Sequence, residues 1–207
     1  MRMIKVDILD VQGFEPAIRG MRNPKNSWNK SDSDFVAWDD FDFTIGDNDL
    51  DLMQRLFKAG VEHRTYARMI EVWMDIEAPL YWWKEMDRYT VGKTQISTST
   101  MHKLHDRPLM IDNFSHEHMD YLSERILDSV ITTINDLMCS FFETGNESDW
   151  KQMIQLLPSS YNQKRTVMMS YETVFKIIKE RSNHPLDEWN DFVEVLKNLP
   201  YVNEIMK

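Results

Sequence analysis

From Ser115 to Gly145, apolar side chains recur every three or four residues: Met119, Leu122, Ile126, Val130, Ile134, Leu137 and Phe141. That spacing is the period of an α-helix with one apolar face, so it predicts a single helix over residues 116–144, capped by Ser115 and closed by Gly145. Such a helix is roughly 43 Å long at about 1.5 Å per residue, and a fold must be built around it. Leu127, Ile131, Met138 and Phe142 widen the stripe beyond a two-stranded coiled-coil seam, so the face is core or subunit interface. Cys139 is the only cysteine. It cannot close an intrachain disulfide, and its place in this apolar run reads as a small core residue.

Two other segments change the period from 3.6 to 2. "MIKVDIL" (3–9) alternates Ile4, Val6 and Ile8 with Lys5 and Asp7, and "RMIEVWMDI" (68–76) alternates Ile70, Val72, Met74 and Ile76 with Glu71, Trp73 and Asp75. Both read as strands with one buried face. Between them, residues 22–47 carry Asn, Ser, Asp and Trp with no steady period, an irregular excursion that is either a binding loop or an insertion. Asp47 or Asn48 caps a helix in which Leu50, Met53 and Phe57 share a face and Gly60 ends the turn. Pro79 suits a first helical position, so "PLYWWKEMDRY" reads as helical, anchored through some of Tyr81, Trp82 and Trp83. After the long helix come a short helix "ESDWKQMIQLL", a strand in "KRTVMMS", a helix after Ser170 and a last helix in "PLDEWNDFVEVLKNL". The mixture predicts a single α/β (α+β) domain over residues 1–207, with a mixed or antiparallel sheet flanked by helices.

The 207 residues are 42% hydrophobic and 28% charged, which suits a folded chain. The 15 methionines read as filling for irregular core gaps. A formal net charge of −10, with no long basic block, argues against nucleic acid as a partner, because phosphate neutralisation by Lys and Arg supplies most of that binding. No run is long and apolar enough to span a bilayer, and the first ten residues lack the apolar core of a signal, so no membrane association and a cytoplasmic location are expected.

His102, His105, His116 and His118 lie close in sequence with Asp106 and Asp112, but their spacing follows no metal-ligand pattern, and they read as exposed histidines with no metal. Gly-rich phosphate loops, His-Glu-x-x-His helices and Gly-x-Ser-x-Gly elbows are absent.

Over roughly residues 50–200, the order of motifs resembles that of the flavin-dependent thymidylate synthases. Glu62-His63 with Tyr66 is similar to that family's Glu-His pair and following aromatic. Arg88-Tyr89-Thr90 stands on its Arg-His-Arg, and Thr98, flanked by Ser97 and Ser99, stands on the serine eight residues later. Leu157-Pro158 matches its Leu-Pro, and Arg181 then falls, with no gap, on the arginine that contacts and polarises the nucleotide base. The chain departs at Tyr89 and Thr90, which remove a cation and its fork of donors. It departs again at Ser170-Tyr171-Glu172, which replaces Asn-Ala-Arg and inverts a charge, and at Ile154, which replaces an arginine.

The resemblance implies that family's fold, FAD held by His63, Arg88, Tyr89 and Thr90, and a pyrimidine nucleotide such as dUMP held by Arg88, Ser97, Thr98, Ser99 and Arg181, with Arg181 the catalytic residue. Lys84, Lys93 and Lys103 are further cations near the phosphate motif. If the family's methyl transfer is retained, NADPH and methylenetetrahydrofolate are implied as well, and the hard chemistry belongs to those cofactors. The resemblance also implies a homotetramer with shared sites. The other reading is a protein of the same fold that binds a nucleotide or a partner without turnover.

Overall fold

The structure, a computed structural model, describes residues 4–35, 43–101, 104 and 106–207. Strand β1 (Lys5–Gln12) leads into helix α1 (Phe14–Arg22), then the short strands β2 (Asp34–Phe35) and β3 (Phe43–Thr44) and helix α2 (Asp47–Ala59). Strand β4 (Glu71–Pro79), helix α3 (Leu80–Met86) and strand β5 (Lys93–Ser97) precede the long helix α4 (Tyr121–Thr144) and helix α5 (Glu147–Leu156). Strand β6 (Asn162–Ser170) and helices α6 (Tyr171–Arg181), α7 (Asp187–Lys197) and α8 (Val202–Ile205) close the chain. The main sheet is antiparallel with four strands in the order β1-β4-β6-β5, and β2 pairs with β3 through Asp34 opposite Thr44 and Phe35 opposite Phe43. No helix among the described residues is long and apolar enough to cross a membrane.

The chain packs as two compact units, neither a continuous stretch. Unit one comprises Met1–Lys5, Asp75–Arg88 and Gln95–Thr166; unit two comprises Val6–Met74, Tyr89–Thr94 and Val167–Lys207.

In unit one, Leu127, Ile131, Ile134 and Met138 of α4 meet Leu104, Leu109, Phe114 and Met153 in one apolar cluster. Asn135 clamps the segment before the helix, accepting from the Leu109 N–H at 2.8 Å and donating to the Leu109 carbonyl at 3.0 Å. Trp82 and Trp83 of α3 are fully buried, in keeping with the aromatic anchor read from the sequence, and Trp83 Nε1 donates to the Gln163 carbonyl at 2.9 Å. The long helix starts later than its apolar spacing suggests. Ser115 is buried and donates to Asn162 Oδ1, while Asp120 takes the capping role by accepting from the Ser123 N–H at 2.8 Å. Cys139 is exposed, correcting its reading as core, because a helix that buries Ile131, Ile134 and Met138 turns position 139 outward.

In unit two, Val72 and Met74 alternate inward with no exposure, and Val174, Phe175 and Ile177 of α6 are likewise buried. Strand β1 follows its predicted alternation less well, since Ile8 is 41% exposed. It is an edge strand, with a neighbour on one side only. The described part of the excursion is tied down at residues 31–33, and residues 36–42 lie outside the described ones. The Asp32 carboxylate accepts from the N–H groups of Asn48 and Asp49 at 3.0 and 3.2 Å, so the α2 cap comes from Asp32, not from Asp47 or Asn48. Asp49, with no exposure, accepts from Arg22 Nε at 2.6 Å and from the hydroxyls of Ser31 and Ser33, both at 2.7 Å.

Pro79 ends β4 and α3 begins at Leu80. Helix α1 and strand β5 were not legible from periodicity. The first is only nine residues long with Gly20 inside it, and the second carries Ile96 outward at 76% exposure.

Candidate functional site

Arg181 ends α6 in unit two and is held on several sides. Its Nε donates to the Tyr89 hydroxyl at 3.0 Å, and that hydroxyl donates in turn to Glu180 Oε2 at 3.0 Å. The guanidinium lies 4.4 Å from the centre of the Trp189 ring, supplied by α7, and its Nη1 is 3.0 Å from His184 Nε2. The turn carrying His184 is fixed by Asn190, which accepts from the His184 N–H and donates to the His184 carbonyl. A planar cation stacked on an indole and tied at Nε has few orientations, which is what recognition of a carbonyl on a planar ligand requires. Lys176 Nζ sits 5.6 Å over the Tyr89 ring.

Tyr89, 5% exposed, is thus part of the packing around Arg181. Burial raises its phenol above the ordinary range, the hydrogen bond from Arg181 pulls it back in part, and the group stays protonated at neutral pH. Thr90 and His63 are exposed in the same unit, His63 in the turn after α2 with its N–H on the Gly60 carbonyl at 3.0 Å.

Glu172, which stands where the resemblance places an arginine, does not leave a bare negative charge. Arg64 grips it in a fork, Nε to Oε2 at 2.7 Å and Nη2 to Oε1 at 3.0 Å, with the two side chains only 13% and 16% exposed. The Arg64 guanidinium also lies 4.8 Å over the Phe57 ring. The expected inversion of local charge is corrected to a neutral pair, and the partner was invisible in sequence because it is 108 residues away.

The remaining predicted residues belong to unit one. Arg88 is exposed in the turn after α3. Thr98 donates its one hydroxyl hydrogen to the Lys164 carbonyl at 3.1 Å and accepts through its carbonyl from Gln163 Nε2 at 2.7 Å, so in this arrangement it has no O–H for a phosphate. Ser99 Oγ accepts from the Met101 N–H at 3.2 Å, and Ser97 is exposed at the end of β5. Arg165 is a cation that periodicity did not single out. It stacks 4.3 Å from the Trp83 ring, donates to Asp87 Oδ1 at 2.8 Å and to Gln163 Oε1 at 3.0 Å, and is 13% exposed. It lies in the polar half of β6, among Asn162, Gln163, Lys164 and Thr166, so the sequence carried no signal for it.

Among the described residues, no group of three His, Cys, Asp or Glu side chains could hold a metal; His102, Lys103 and His105 lie outside them. Two concavities stand out. One, of about 470 Å³ in unit one, is lined by Tyr81, His116, Glu117, His118 and serines 115, 159 and 160. The other, of about 580 Å³ in unit two, is lined by Phe57, Lys58, Arg64, Phe175, Ile178 and Lys179 among others.

No family model matches this sequence, and no curated protein matches it. Solved structures are similar. Thymidylate synthase X from Helicobacter pylori, crystallised with FAD and dUMP, matches with a TM-score of 0.68 and 14% identity over 98% of this chain and 96% of its own. A second structure of that flavin-dependent enzyme, complexed with FAD and dUMP, matches at 0.68 and 15% over 98% and 97%. The UMP/dUMP methylase PolB from Streptomyces cacaoi, bound with 5-Br UMP, matches at 0.64 and 10% over 99% and 93%. Identities this low carry fold and nothing finer, and on that ground the chain has the fold of the flavin-dependent thymidylate synthases.

Proposed function

We propose that this protein binds a pyrimidine nucleoside monophosphate of the UMP or dUMP class. The observation that carries the reading is Arg181, tied at Nε to a buried tyrosine and stacked on Trp189, in a fold whose neighbours were crystallised with such nucleotides. Arg181 is assigned to a carbonyl of the base, where a guanidinium stabilises charge that develops on oxygen. Arg88, Ser97, Thr98 and Ser99, which belong to the other unit, are proposed for the phosphate on the resemblance alone, Thr98 through its hydroxyl in place of the Lys164 carbonyl.

The residues aligned with the flavin contacts fit FAD poorly. Of His63, Arg88, Tyr89 and Thr90, Arg88 alone is a permanent cation for a pyrophosphate, Tyr89 is buried with its hydroxyl engaged on both sides, and Glu172 is neutralised by Arg64. FAD, if bound, would supply the redox step of a methylation. Nucleotide binding needs no such step, and these residues favour binding without flavin-dependent turnover. A homo-oligomer, a tetramer by resemblance, is part of the proposal. Leu122 and Ile126, one turn apart on α4, are 67% and 59% exposed, and an apolar pair of that kind is suited to burial against a second copy.

Titration of the purified protein with dUMP and UMP, with and without FAD, tests both parts. Saturable dUMP or UMP binding that Arg181→Ala weakens about tenfold or more supports the assignment. Binding of neither nucleotide, or binding indifferent to Arg181→Ala, overturns it. A yellow protein that takes up FAD stoichiometrically and transfers hydride overturns the preference for binding without turnover.

A further inference from the structure

The concavity of about 580 Å³ in unit two uses none of the residues assigned to the nucleotide. Its apolar surface comes from Phe57 at the end of α2, Phe175 and Ile178 on α6, Val61 in the turn, and Met206 near the C-terminus. Phe57 and Phe175 meet edge to face with centroids 5.0 Å apart, and Arg64 lies against the Phe57 ring. The wall is therefore built from mutually braced groups.

Every charged side chain that lines it is a cation: Lys58, Arg64 and Lys179. On a chain of net charge −10 that is a local reversal of the overall balance. Among the described residues, neither Lys58 nor Lys179 has an ion-pair partner. Arg64 spends two of its five donors on Glu172. Ser182 adds no donor, because its hydroxyl donates to the Ile178 carbonyl at 2.6 Å. Lys58 and Lys179 sit in the last turns of α2 and α6, where cations complement the helix C-termini. That role accounts for their position along each helix but not for an aromatic-walled hollow between them.

We infer that this hollow is a second binding site, for a small aromatic carboxylate whose ring packs against Phe57, Phe175 and Ile178 and whose anion meets Lys58 and Lys179. Its volume falls in the range of about 300–1,000 Å³ typical of small-molecule sites, and an apolar wall with a few convergent charges is their usual composition. A bare phosphate would leave the apolar surface wet, and a neutral aromatic would leave the ammonium groups without a counter-charge.

Isothermal titration of the full chain with 2-naphthoate, 2-naphthylmethanol and inorganic phosphate tests this. The expected result is one saturable naphthoate site per chain, with the alcohol and phosphate each at least about tenfold weaker. Lys58→Glu with Lys179→Glu should weaken naphthoate about tenfold or more and leave the alcohol unchanged, and Val61→Trp, which fills the hollow from an exposed position, should block both. Absence of naphthoate binding, equal affinity for the alcohol, or binding that survives Val61→Trp overturns the inference. Circular-dichroism melting of each variant separates loss of the site from loss of the fold. Because the two sites share no residue, dUMP titration of the same variants should be unchanged, so failure here is distinct from failure of the nucleotide reading.

Discussion

Arg64 and Glu172 form a two-pronged ion pair between the turn after α2 and the first turn of α6, with both side chains more than four-fifths buried. The planar fork of guanidinium against carboxylate fixes geometry as well as charge. It also sets a carboxylate at the N-terminus of α6, where the helix dipole favours it.

Removing one member leaves the other poorly solvated and unpaired. Arg64→Met and Glu172→Leu should each lower the free energy of unfolding by about 2–3 kcal/mol, and the double variant should recover part of that loss. Urea unfolding of the three variants measures it. A double variant as unstable as the sum of the singles would show that the pair contributes nothing beyond separate packing.

Asp49 predicts an acid limb. Burial by itself raises its carboxyl, but hydrogen bonds from Ser33, Ser31, Arg22 and the Asp32 N–H outweigh burial and hold it below the usual carboxylate range. A group depressed in the folded state stabilises above its unfolded value of about 4, and that stability is lost as pH falls through the folded value. Asp49→Asn should therefore be less stable at pH 7 by about 3 kcal/mol, with Arg22 left buried and unpaired, and should lose less stability than the parent below pH of about 4. Denaturation midpoints from pH 7 downward give both slopes. Parallel curves would remove Asp49 from the acid transition.

Gly92 has φ +67°, and a Cβ there would lie 2.6 Å from Ser170 Oγ and 2.9 Å from Thr173 Oγ1. Those hydroxyls are engaged, Thr173 donating to the Val91 carbonyl at 2.9 Å. Gly92→Ala should cost about 1–3 kcal/mol from backbone strain and crowding. Thermal melts measure it; an unchanged midpoint would contradict the crowding at Gly92.

Tyr89→Phe keeps the ring and removes the hydroxyl between Arg181 and Glu180. Stability should fall by about 1 kcal/mol, and dUMP affinity should fall with it, because Arg181 loses the bond at Nε. Since folding raises the Tyr89 pKa, its contribution is present at neutral pH and is lost as pH rises above about 10, and the variant should lack that part of the alkaline limb. Unchanged nucleotide affinity in Tyr89→Phe would detach the tyrosine from the positioning of Arg181.

The exposed face of α4 predicts association. Sedimentation should give a mass of several chains, and Leu122→Asp with Ile126→Asp should reduce it to one without loss of helix content. A parent protein that sediments as a single chain would remove the oligomer.

Sequence alone determined the elements whose information is local. The 3–4 spacing of α4, the alternation of β4, and the aromatic run that buries Trp82 and Trp83 follow from side-chain period and turn residues, and the order of motifs pointed to the fold. Tertiary structure alone decided the partners. Arg64 neutralises Glu172 from 108 positions away, Asp32 caps a helix that begins well downstream of it, and Thr98 gives its hydroxyl hydrogen to a carbonyl 66 positions on. Period and capping are set by neighbours within a turn or two, whereas charge pairing and hydrogen-bond satisfaction are settled only when distant segments fold against one another.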